Sequence, residues 1–188
     1  MTTEPNRPLE LVGITGSLRA GSFNTLLLEA CRSYLPEGVT LEIIGVGGMP
    51  LYETALDSDD PPATVTAFRR AIEGADAVLY STPEYNFSVP GGLKNAIDWA
   101  SRPAYRAALT NKPSGILSAT GGPLGGVRAQ GHLKQILSGT LSPVFPANEF
   151  LVGDAGKKFD EEGRLTDEKT RERLERYLTG FAAWIRSR

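Results

Sequence analysis

Apolar residues follow two rhythms along this chain. Short stretches at 9–15, about 40–46, 77–82, 113–120 and 141–147 are apolar nearly throughout, the pattern of β-strands covered on both faces. Between and after them, apolar residues recur three and four positions apart, which predicts helices. The stripes are Phe23, Leu26, Leu27, Ala30, Cys31 and Tyr34; Val65, Phe68 and Ile72; Leu93, Ala96, Ile97 and Ala100; Ala129, Leu133, Ile136 and Leu137; and Leu174, Tyr177, Leu178, Phe181 and Ile185. Ser22 suits the N-cap of the first helix, and Leu35-Pro36-Glu37-Gly38 ends it. Thr166 is expected to cap the last helix, with Asp167 and Glu168 in its first turn, where the helix dipole favours acids.

Five strands alternating with five helices predict an α/β fold, a parallel sheet with helices on both faces. Right-handed crossovers leave few strand orders. The order 2-1-3-4-5 sets strands one and three side by side at the switch point, where ligands bind. It also puts strand five on an edge, as its Pro143 and Pro146 require. Residues 148–164 read as an irregular connection, and the polar residues 1–8 as a flexible tail on a single domain spanning 1–188.

Three loops follow strands one, three and four at their carboxyl ends. The first, Gly16-Ser17-Leu18-Arg19-Ala20-Gly21-Ser22, runs into helix one. Glycines let a backbone approach closely, hydroxyls donate, and the amides that open a helix face outward, so this loop is expected to hold a phosphate. Asn24 lies off the apolar stripe in the first turn, within reach of a ligand there. Gly16 and Gly21 have Walker A spacing, but Ser22-Phe23 stand where that motif needs Lys and a hydroxyl residue. The G-x-G-x-x-G fingerprint fails at Ser17-Leu18. NTP hydrolysis is therefore disfavoured. The second loop is Thr82-Pro83-Glu84-Tyr85-Asn86-Phe87-Ser88-Val89-Pro90-Gly91-Gly92, and the third is Gly121-Gly122-Pro123-Leu124-Gly125-Gly126. Trp99 lies beside the stripe of helix three, which leaves two readings open: an oligomer contact or packing on a nearby loop.

Composition narrows the partners. A net charge of −2 with no Lys/Arg block gives no footprint for nucleic acid or an anionic membrane. No apolar run approaches membrane-spanning length and no secretory leader is visible, so a cytoplasmic location is expected. A single Cys and a single His exclude an intrachain disulfide and make a zinc site unexpected. Cys31 falls on a core stripe, and His132 is read as satisfied or interfacial rather than catalytic.

Several blocks together resemble the NADPH-dependent FMN reductase family, the flavodoxin-like group that includes bacterial quinone and chromate reductases and some azoreductases. They are Gly16-Ser17-Leu18-Arg19 with Ser22 and Asn24; Pro83-Glu84-Tyr85-Asn86 with Ser88, Pro90-Gly91 and Leu93-Lys94-Asn95-Ala96-Ile97-Asp98-Trp99; and Gly125-Gly126 with Arg128-Ala129-Gln130. The resemblance covers about residues 9–152. It implies a flavodoxin-like three-layer sandwich with noncovalent FMN. Ser17, Arg19, Ser22, Asn24 and Thr25 would take the phosphate. Pro83, Glu84, Tyr85 and Asn86 would lie along the isoalloxazine, chiefly through backbone groups. Ser118, Thr120 and Gly121 would close the other side, although Thr120-Gly121-Gly122-Pro123 departs from the Ser-Pro-Gly of many relatives.

The same resemblance implies NADPH or NADH as co-substrate, with hydride passing to the flavin N5. Two electrons would then pass to a quinone, free flavin, azo compound or chromate. It asks for no acid–base residue and no metal. It implies a homodimer or homotetramer, with Trp99 and Arg128 as interface candidates and Tyr85 and Phe87 as cleft walls. Two other readings compete: a non-catalytic flavodoxin-type electron carrier to a protein partner, and a regulatory module binding another phosphate ligand. Carriers often present a strongly acidic docking face, and a net charge of −2 speaks against that.

Overall fold

The computed structural model describes residues 7–188. Residues 1–6 of the expected tail lie outside the described residues, while Arg7 is held by an ion pair with Asp76. Strands β1 (Leu9–Thr15), β2 (Val39–Gly45), β3 (Ala77–Ser81), β4 (Ser114–Ala119) and β5 (Phe150–Val152) form one parallel sheet in the order β2-β1-β3-β4-β5. Alternate residues of each strand feed opposite faces. Leu9, Leu11, Leu79 and Leu117 join a core under α1 (Phe23–Cys31) and α5 (Glu168–Arg186). Val12, Ile14, Val78, Tyr80 and Ile116 join a second core under α2 (Ala63–Gly74), α3 (Gly91–Ala100) and α4 (Val127–Gly139).

This split of the helices follows from strand order. From β1 the chain steps one way to β2, and every later step runs the other way. Right-handed crossovers therefore place α1 on one face and α2, α3 and α4 on the other. Helices leave the neighbours β1 and β3 on opposite faces, so a crevice opens at their carboxyl ends, beyond Thr15 and Ser81.

The edge strand differs from expectation. Residues 141–147 touch β4 through one bridge, Val144 to Ser114, and the strand itself is Phe150–Val152 within the expected irregular connection. Between Ser114 and Leu117 the partner jumps from Val144 to Phe150, so the edge bulges outward around Pro146. The bulge leaves the Ile116 backbone unpaired on that side. Tyr177 of α5 fills the gap: its hydroxyl accepts from the Ile116 N–H at 2.9 Å and lies 3.2 Å from the Ile116 carbonyl. The last strand does lie on the edge, but Phe150–Val152 holds no proline: Pro143 and Pro146 fall in the segment before it, where the edge touches β4 through a single bridge.

Two other local expectations are corrected. Asp167, not Thr166, caps α5, accepting from the Thr170 N–H at 2.9 Å. Thr166 instead closes the preceding loop on the Lys158 carbonyl. Trp99 is no interface residue on this chain: it is fully buried, and its Nε1 donates to the Pro50 carbonyl at 2.8 Å. Tyr52 packs edge-on against its ring, so the loop after β2 is what Trp99 holds.

Candidate functional site

The first loop presents unused donors. Ser22 caps α1, its hydroxyl accepting from the Asn24 N–H at 3.3 Å, and the Ser17 hydroxyl accepts from the Arg19 N–H at 3.3 Å. Both hydroxyls keep a proton to give. Among the described residues, the amides of Gly21, Ser22 and Phe23 have no protein partner, as expected of a helix start. α1 carries no acid in its first turn to occupy its positive end. Arg19 is exposed, makes no ion pair among the described residues, and lies over the Phe23 ring. Amides, hydroxyls and one guanidinium at a helix start are the donor set a phosphate dianion needs, and no metal is required.

Asn24, which lines the cleft, also has a structural job. Its amide nitrogen donates to the Ala119 carbonyl at 2.8 Å, and its oxygen accepts from the Ala119 N–H at 3.0 Å and the Ser81 hydroxyl at 3.1 Å. The side chain is spent on the ends of β3 and β4, and it fixes the first turn of α1 against them. Thr25, the next residue, has its hydroxyl 2.9 Å from that of Thr15.

The second loop is a tight turn. Tyr85 and Ser88 exchange both backbone bonds, and Asn86 and Phe87 take φ of 48° and 66° between them. Three contacts hold the turn to α4. The Glu84 carboxylate accepts from the Arg128 N–H at 2.9 Å and pairs with its guanidinium at 3.2 Å; that guanidinium lies over Phe87, and His132 Nδ1 sits 2.9 Å from the Ser88 hydroxyl. The lone histidine is thus satisfied.

The third loop packs rather than opens. Gly125, at φ +63°, has Leu151 so close that an added Cβ would lie 2.8 Å away, and a Cβ on Gly153 would fall 2.3 Å from the Pro123 carbonyl oxygen. Ser118 is fully buried beneath this loop, donating to the Gly125 carbonyl at 2.5 Å and accepting from Gln130 at 2.7 Å. It is therefore a support for the loop, not a wall of the cleft.

Where the three loops meet, Ser17, Arg19, Ser22, Phe23, Asn24, Pro83, Glu84, Tyr85, Ala119, Thr120 and Gly121 line a cleft of about 210 Å³. Nine of the sequence-predicted residues are there; Thr25, Asn86 and Ser118 are not. Phe23 and Ala119 are additions. Phe23 read as core, yet as the first residue after the cap it stands beside Arg19, stacked on Phe159. Larger hollows of about 600 and 650 Å³ lie by the edge bulge and between α1 and residues 160–166, away from these loops. Cys31 is buried on α1, and burial pushes its thiol pKa up, so it is inert core.

A doubly wound parallel sheet with an anion cradle at its switch point defines a flavodoxin-like, mononucleotide-binding class. Comparison with known proteins narrows it. The family model for NADPH-dependent FMN reductase matches residues 9–157. The chain is 42% identical over 180 residues to an NAD(P)H-dependent FMN reductase of Pseudomonas aeruginosa, covering 95% of this chain and 96% of that one. It is 43% identical over 185 residues to an NADPH:quinone oxidoreductase of Arabidopsis thaliana, covering 94% and 91%. The solved structure of FerB, a flavoenzyme NAD(P)H:(acceptor) oxidoreductase from Paracoccus denitrificans, aligns with a TM-score of 0.87 at 32% identity, over 95% and 98% of the two chains. The chain belongs to the NADPH-dependent FMN reductase family. It is an oxidoreductase with FMN as cofactor and NAD(P)H as co-substrate.

Proposed function

We propose that this chain, as one FMN-binding domain, reduces quinones, with FMN held in the cleft between the three loops. The observation that carries the reading is the set of unpartnered amides at 21–23 converging with Ser17, Ser22 and Arg19 beyond the β1/β3 switch point. These groups would take its phosphate, and residues 83–85 and 119–121 would line the rest of the mononucleotide. Bound FMN supplies the two-electron chemistry, accepting hydride from NADPH or NADH and returning electrons to the acceptor. The protein's part is to hold the ring, to leave one side of it open, and to wall that side with flat surfaces. Tyr85 exposes its ring at the rim, which suits a planar, uncharged acceptor. No acid–base residue is asked of the cleft. Relatives named quinone reductase in Pseudomonas putida and NADPH:quinone oxidoreductase in Arabidopsis support this acceptor class.

Two further features belong to the same reading. Phe87, Leu124 and Val127 are exposed around the start of α4, and we read this apolar rim as the face on which two copies pair, giving a homodimer or a tetramer built from it. Among the described residues no helix is long and apolar enough to cross a membrane, which accords with work in the cytoplasm.

The test is anaerobic. Protein reduced with NADPH, then mixed with benzoquinone, free FMN, an azo dye or chromate, regains its oxidised spectrum fastest with the quinone. Slower reoxidation by the quinone than by the others overturns the acceptor assignment. Light scattering of the same sample reads the pairing, and a monomer would remove it.

A further inference from the structure

Glu84 places an acid in a cleft whose other end suits an anion. It lines the cleft, and its side chain is only 14% exposed. Its carboxylate accepts from the N–H groups of Arg128 at 2.9 Å and Ala129 at 3.3 Å, the first turn of α4. The helix needs that acceptor, because its N-cap is Gly126 and its first turn holds no acid. A neutral oxygen would serve the amides as well. The charge has a separate effect. Without it, the positive end of α4 and the Arg128 guanidinium would both bear on the 84–88 end of the cleft uncompensated. Among the described residues Arg128 has no other acidic partner, and His132, one turn on, is engaged with Ser88. Arg19 and the start of α1 lie at the other end. The cleft is polarised: positive where the phosphate binds, neutralised along 84–88.

We propose that the Glu84 carboxylate tunes the bound flavin, holding its reduction potential down by cancelling the positive field of Arg128 and of the α4 N-terminus. The proposal rests on the reading above, with the phosphate at 17–23 and the ring along 83–85. Two-electron reduction leaves FMN with one more negative charge near neutral pH, so nearby positive charge raises its potential and negative charge lowers it. A largely buried carboxylate is weakly screened by salt and water, so its effect reaches the ring. A lower potential makes the reduced enzyme a stronger donor to its acceptor.

Glu84→Gln keeps an oxygen for the two amides and removes only the charge. By equilibration with a redox dye, the variant favours reduced over oxidised FMN about tenfold more than the parent, equal to about 30 mV for a two-electron couple. Arg128→Met removes the opposing charge while keeping the backbone N–H that Glu84 caps, and it lowers the potential. Dissociation constants for oxidised FMN, from fluorescence quenching, separate the two ideas. A parent protein that takes up no FMN overturns the cleft reading and this proposal together. Tight FMN with both potentials unmoved overturns this proposal alone. If Glu84→Gln does not fold, Arg128→Met decides: a fall in potential supports the tuning role, and an unchanged potential ends it.

Discussion

Two loops of this protein look alike in sequence and do opposite things. Gly16 to Ser22 and Gly121 to Gly126 both follow a strand, both are rich in glycine, and both lead into a helix. In the first, Gly21 has nothing within 4 Å of where a Cβ would stand, and the amides around it are unspent. In the second, Gly125 and Gly126 are pressed onto the ends of β4 and β5, and Ser118 is consumed in supporting them. Glycine leaves open space in one loop and permits backbone packing in the other. Composition cannot separate the two uses; the neighbours do.

The largest effect expected tests that contrast directly. Gly21 and Gly125 share a positive φ, +66° and +63°, and differ in the space around them. Gly21→Ala loses about 1 kcal/mol from backbone strain alone, whereas Gly125→Ala loses roughly 2–4 kcal/mol because Leu151 and the β5 backbone must move. Denaturant midpoints of the two variants measure the gap, and equal losses would break the comparison. Next comes Arg19→Ala, which should weaken FMN binding by about 1.5–3 kcal/mol without changing the denaturant midpoint of the apo-protein. A stability loss with unchanged FMN affinity would make the first loop structural too.

Smaller effects lie where every donor is already committed. Tyr177→Phe leaves the Ile116 N–H and carbonyl without their shared partner, and costs about 1–3 kcal/mol of stability with FMN affinity intact. The smallest concerns acid. Burial disfavours the Asp76 carboxylate, but the Arg7 guanidinium, the Glu10 amide and Lys112 outweigh that and hold its pKa below the usual range. A depressed folded-state value stabilises above the unfolded pKa, and the contribution fades as pH falls through the folded one. Stability of the parent should therefore decline below about pH 4. Asp76→Asn should flatten this limb in melts followed across it, and an unchanged limb would assign it to other carboxylates.

Much of this fold was legible because it is written in periodicity. The succession of strands and helices and the stripes of α2, α3 and α4 follow from spacing, and crossover handedness gave a strand order with the last strand on an edge, although the prolines offered for it lie outside Phe150–Val152. Proline could not tell where that edge would bulge, since the missing rung is supplied by a tyrosine 61 positions away. Asn24 and Ser118 had the right chemistry in the right segments, yet their side chains turn inward to satisfy buried backbone. Trp99 posed an open choice that only the fold of the loop after β2 resolves. Whether a polar side chain near a ligand serves the ligand or the scaffold depends on competing partners far along the chain, and one-dimensional spacing does not carry that.

The Asn24 amide has a consequence for how firmly the loops at the switch point are held. One side chain bolts the start of α1 to the tips of β3 and β4 through protein atoms alone, so the registry of these loops leans on no ligand contact. Its ordering cost is met when the chain folds and not again at docking.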